Sequence, residues 1–127
     1  MAQTGRISPE EWAEMVHAAR DLLVQTACER STITYGDFAA LASRGRLVAR
    51  SPLLMQLVEL AAEPLDETYG ICTASLVVRA DSGRPGEGYF VWAARSGFDM
   101  TDPRAMWLAQ VHRVWNALGQ RREDLPR

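Results

Sequence analysis

The chain has no lysine: all 14 of its basic residues are arginine, set against 16 acidic residues for a net charge of −2. So nearly neutral a balance excludes a global attraction to nucleic acid or to an anionic membrane. Arginine throughout points to a GC-rich codon usage rather than to a binding code. Cysteine is scarce as well. Cys28 and Cys72 are spaced neither as a redox CxxC pair nor as a zinc knuckle, and they read as buried, reduced structural thiols. No apolar run approaches the roughly 18 residues that span a bilayer. The start, Met1-Ala2-Gln3-Thr4-Gly5-Arg6, lacks the apolar stretch of a secretory signal. The expected location is therefore cytoplasmic, with no membrane partner. His17 and His112 are the two histidines, on separate predicted helices. Without HExxH or a Cys/His cluster, no metal site, catalytic residue or cofactor is assigned.

What is present is a globular composition: 127 residues, 47% apolar and 24% charged. One core fits in this length and a second domain does not. The expectation is a single domain over 1–127, with 1–7 and 121–127 frayed.

Three helices start with a capping residue and proline. Ser8-Pro9-Glu10-Glu11 is a capping box, followed by Trp12, Val16, Ala19 and Leu22 on one face, which predicts a helix over about 9–29. Thr34-Tyr35-Gly36-Asp37 predicts a short helix over about 35–43, with Gly45 just past its end. Ser51-Pro52 opens an apolar helix over about 52–63, ended by Pro64. Then the period shortens. Cys72, Ala74, Leu76 and Val78 alternate with Thr73, Ser75, Val77 and Arg79, as in a half-buried strand. A turn-rich stretch, Asp81 to Gly88, leads to Tyr89-Phe90-Val91-Trp92-Ala93, read as the returning strand of an antiparallel hairpin. Asp102-Pro103 starts a last helix, about 103–120. The fold class is thus α+β, a small winged-helix-like domain of order α-α-α-β-β-α. Its long first and last helices pack together through their tryptophans, beside one antiparallel hairpin.

Two stretches could carry function. The glycine-rich turn Gly83 to Gly88 is a hairpin tip rather than a phosphate cradle, because a cradle needs a helix after the turn. Arg44, Arg46 and Arg50 form an acid-free basic stretch between the second and third helices, and Arg84 adds charge at the hairpin tip. In a winged helix these arginines would meet backbone phosphates. Against this, Glu59 and Glu63 on the third helix repel phosphate.

The segment Ile33-Thr34-Tyr35-Gly36-Asp37-Phe38-Ala39-Ala40-Leu41-Ala42 resembles the start of the helix-turn-helix in alkylguanine-DNA alkyltransferases and alkyltransferase-like proteins. That resemblance implies DNA binding, with Tyr35 and Arg50 at the positions that help extrude a base. The alkyl-accepting Pro-Cys-His-Arg motif is absent, since Ile71-Cys72-Thr73-Ala74 lacks its His and Arg, so alkyl transfer is not implied. A second resemblance, over Ala74 to Val78 and Gly83 to Phe90 together with Thr34-Tyr35-Gly36, is to a family of bacterial proteins with a Pro-Gly-x-Gly-aromatic hairpin, and it implies no activity.

Two functions follow as expectations. The first is a non-catalytic module that binds DNA through backbone phosphates, using Thr34, Tyr35, Arg44, Arg46, Arg50 and Arg84. The alternative is a protein-interaction module or homodimer with an aromatic surface at Tyr89, Phe90 and Trp92, residue types enriched at interface cores.

Overall fold

The computed structural model describes residues 6–124. In chain order the elements are α1 (Pro9–Cys28), β1 (Ile33–Thr34), α2 (Tyr35–Ser43), α3 (Pro52–Tyr69), a 3₁₀ turn (Thr73–Leu76), β2 (Val77–Val78), α4 (Glu87–Arg95) and α5 (Pro103–Asp124). The domain is mostly helical.

The capping signals translate directly into helix starts. Ser8 Oγ accepts from the Glu11 N–H at 3.0 Å, and Glu11 returns a bond to the Ser8 N–H at 2.9 Å. Thr34 and Ser51 cap α2 and α3 through their hydroxyls. Each cap satisfies a donor that the helix leaves unpaired. α3 does not stop at Pro64. It continues to Tyr69 and ends on Gly70 at φ +64°, because Arg20 of α1 bonds to carbonyls at the proline.

The winged-helix assignment and its antiparallel hairpin are overturned. The described residues contain one sheet, two strands of two residues each, running parallel with Ile33 opposite Val77 and Thr34 opposite Val78. The supposed returning strand, Tyr89 to Ala93, lies in α4. Tyr89 and Ala93, four apart, are buried while Val91 and Trp92 face solvent, which is helical periodicity rather than alternation. Gly86, extended at φ −71° and ψ 170°, starts that helix. The first supposed strand fails for another reason. Thr73 and Ser75, expected to point outward, are buried and hydrogen-bonded. Thr73 donates its N–H and its hydroxyl to Asp66, and the Ser75 hydroxyl meets Tyr89. A satisfied hydroxyl can be buried at small cost, so hydropathy alternation did not report burial here.

α1 is the central helix, packed against α2, α3, α5 and the 3₁₀ turn. Leu23, Phe38, Leu54, Leu57, Leu76, Val111, Val114 and Leu118 are buried between them. α1 and α5 pack together, and the indole N–H groups of the α5 tryptophans bond to backbone outside that pair. Trp107 Nε1 donates to the Ser75 carbonyl at 2.8 Å and Trp115 Nε1 to the Ser31 carbonyl at 3.0 Å. Ile7 packs against the core, and α5 runs to Asp124. The rest of the expected frayed ends, 1–5 and 125–127, lies outside the described residues. Among the described residues no helix is long and apolar enough to cross a membrane.

Candidate functional site

The six residues expected to contact DNA do not line one concavity: Arg44 and Arg46 share one, and Tyr35 and Arg84 border two others. Thr34 is the N-cap of α2, its hydroxyl accepting from the Asp37 N–H at 3.1 Å. Tyr35 is half-buried and its hydroxyl accepts from the Gly86 N–H at 3.4 Å, which ties α2 to the turn before α4. Arg46 pairs with Glu11 and donates to the Arg6 carbonyl; the same pairing holds the Glu11 carboxyl below its usual range, behind the larger effect of the Ser8 N–H. These three residues hold the fold. Arg44, Arg50 and Arg84 are exposed and have no carboxylate partner among the described residues.

The aromatic trio is also divided. Tyr89 is a core residue whose hydroxyl sits 2.7 Å from Ser75 Oγ, and burial pushes its pKa up. Phe90 is half-buried and stands edge-on to Tyr89 at 5.3 Å. Trp92 alone faces out, 42% exposed, propped by Tyr89 at 5.6 Å and Phe98 at 5.5 Å.

Trp92 stands at the edge of a groove of about 680 Å³ between α3 and α4. Its floor includes Val58, Ala62, Ala74 and Val77, and Tyr35 and Tyr89 close one side. Along α3 the border carries Met55, Glu59, Glu63 and Glu67, a row at i, i+4 spacing that lies along one face of the helix. With Asp66 the groove has four carboxylates and no basic residue among those lining it. Met55 is 47% and Leu60 42% exposed, so the border is apolar as well as acidic. Sequence reading singled out Glu59 and Glu63 only as an obstacle to phosphate. Met55 and Glu67 were missed, the latter because α3 was ended at Pro64.

Burial pushes the Cys72 thiol up to about 11, which suppresses the thiolate and makes it a poor nucleophile. Burial raises the Asp66 carboxyl too, partly offset by the two bonds from Thr73. No group of three or more His, Cys, Asp or Glu among the described residues could hold a metal ion.

The turn from Arg79 to Gly86 needs a correction of its own. A helix follows it, not a strand, so the strand-turn-helix order of a phosphate cradle is present. The sequence nevertheless sets Glu87 at the first helical position, and the Gly86 N–H is engaged by Tyr35. Both oppose an anion there.

No protein-family model, curated protein or solved structure matches the chain.

Proposed function

We propose that this chain is a binding module that docks a protein surface on the open face of α3 and the adjoining groove beneath Trp92. The observation that carries this reading is the groove's composition, an apolar floor and edge under four carboxylates with no cation. Such a surface favours a protein segment with apolar anchors and arginine or lysine flanks, and it repels phosphate. The reading places the module in the cytoplasm, where Cys28 and Cys72 stay reduced.

The test is Trp92 emission during titration with two amphipathic peptides of one apolar pattern, one with arginine flanks and one with glutamate flanks. The arginine peptide is expected to shift the emission of the wild type and not of Trp92→Phe. Equal response to both peptides, or the same response in the variant, would overturn the acidic-groove reading.

DNA binding is a second reading, favoured by the exposed Arg44, Arg50 and Arg84. Retention on duplex DNA at low salt should fall steeply with added salt and fall again in the triple Arg→Ala variant. Unchanged retention in that variant removes it.

A further inference from the structure

The interaction surface on α3 has a mate within the same sequence. Arg50, Leu53, Gln56, Leu60 and Glu63 are all exposed. Leu53, Gln56, Leu60 and Glu63, spaced 3, 4 and 3 residues apart, form one stripe along the helix, and Arg50 stands in the turn just before the Ser51 cap, at the N-terminal end of that stripe. The stripe is basic at its N-terminal end, where no carboxylate pairs with Arg50 among the described residues. It is acidic at the other end, where Glu63 is joined by Glu59, Asp66 and Glu67. Val48, in the turn closed by the Ser51 N–H on the Val48 carbonyl at 3.0 Å, is 59% exposed beside Arg50.

We propose that the occupant of this face is a second copy of the chain, with the two α3 helices antiparallel about a two-fold axis. This rests on the docking reading above and names its partner. Opposed in that sense, Arg50 faces Glu63 of the second copy, Leu53 faces Leu60, and Gln56 lies near the axis. Each copy's Val48-Arg50 turn meets the acidic end of the other's groove. The contact is isologous, so it closes at two copies instead of propagating. The two exposed leucines, an unusual feature of a helix otherwise buried on its inner face, cover one another. The antiparallel arrangement also sets opposite helix dipoles side by side. A parallel pairing would put Glu63 against Glu63 and Arg50 against Arg50.

Sedimentation equilibrium of the full chain across a concentration series, at low and high salt, tests this. The wild type is expected to associate to a dimer, less tightly in high salt. Arg50→Glu and Glu63→Arg should each weaken association about tenfold, since each turns two attractive pairs repulsive, and the double variant should recover most of it. Leu53→Asp should dissociate the dimer without rescue. All three positions are exposed, and unchanged circular dichroism would confirm folding of each variant. A wild type that stays monomeric at the highest concentration overturns the dimer. So does a dimer that both single charge reversals leave unchanged. A monomer whose Trp92 still responds to the arginine peptide sinks this inference while leaving the docking groove standing. A monomer that responds to neither peptide removes both.

Discussion

Arg20 completes α3 at Pro64. Its Nη2 donates to the Leu60 carbonyl at 3.1 Å and its Nε to the Ala61 carbonyl at 2.9 Å. Leu60 lies four residues before Pro64, so its carbonyl has lost the helical partner that proline cannot provide. A side chain from α1 therefore does the work of a missing amide in α3, and it joins the two helices at that point.

The relation predicts a non-additive pair. Arg20→Ala should cost about 1 kcal/mol of stability, the net worth of a hydrogen bond whose acceptor water can reach once the side chain is gone. In that background Pro64→Ala restores an N–H to the Leu60 carbonyl and should recover much of the loss. In the wild type the same Pro64→Ala change competes with Arg20 and should gain less. Urea denaturation of the four proteins measures the coupling. Strict additivity would mean that Arg20 does not act at the proline.

Tyr89 anchors α4 through its ring in the core and its hydroxyl at 2.7 Å from Ser75 Oγ. The Ser75 carbonyl meanwhile accepts from Trp107, so one residue links α4 to α5. Tyr89→Phe removes this bond and leaves the Ser75 hydroxyl only the Cys72 thiol, so it should destabilise by about 1 kcal/mol. The loss should be felt first in α4, which lies at the edge of the packing. Hydrogen exchange is expected to show faster opening over Glu87–Arg95 than over α1. Uniform acceleration across all helices would count against a locally held α4.

What could be read in advance was decided close to each residue. The caps at Ser8, Thr34 and Ser51 act within three residues, and each helix begins where its cap predicts. Pro64 and the 72–78 segment depend on partners far along the chain. Arg20 is separated from Leu60 by 40 residues, and Ser75 from Tyr89 by 14. No local pattern encodes either pairing. Tyr89 to Ala93 was ambiguous at its length, since a run of five apolar residues fits either a strand or a short helix. The groove was half visible, in Glu59 and Glu63. The other wall required α4 to be a helix.

Asp66 makes a pH prediction. Burial raises its carboxyl above the ordinary value, with Thr73 opposing the rise. The folded state then keeps this proton at pH values where the unfolded chain, titrating near about 3.9, has lost it. Stability contributed at this site therefore falls as pH rises from the unfolded pKa through the folded one, and the penalty is fully present above both. Asp66→Asn keeps an acceptor for the Thr73 N–H and hydroxyl and removes the titration. The variant should gain on the wild type from acid toward neutral pH. Denaturation midpoints between acid and neutral pH decide it, and a variant that loses ground over that interval would show that the carboxylate is net favourable in the fold.

Arg44 closes α2 in a left-handed conformation, φ 54° and ψ 39°. Gly45 follows at φ +83°. For a residue with a Cβ that conformation costs about 1 kcal/mol, which is why glycine dominates the position in most helix ends. Arg44→Gly removes the strain but gives the unfolded chain more freedom, so the net gain should be smaller, about 0.5 kcal/mol. Because Arg44 is exposed and unpaired among the described residues, no ion pair is lost in exchange. Thermal denaturation should therefore show a modest rise in midpoint. The same variant separates the two functional readings. Phosphate binding through the basic linker would weaken although the fold is firmer, whereas docking in the α3–α4 groove, which Arg44 does not line, would be unaffected. A lower midpoint would mean that the Arg44 side chain makes a stabilising contact that outweighs the backbone strain.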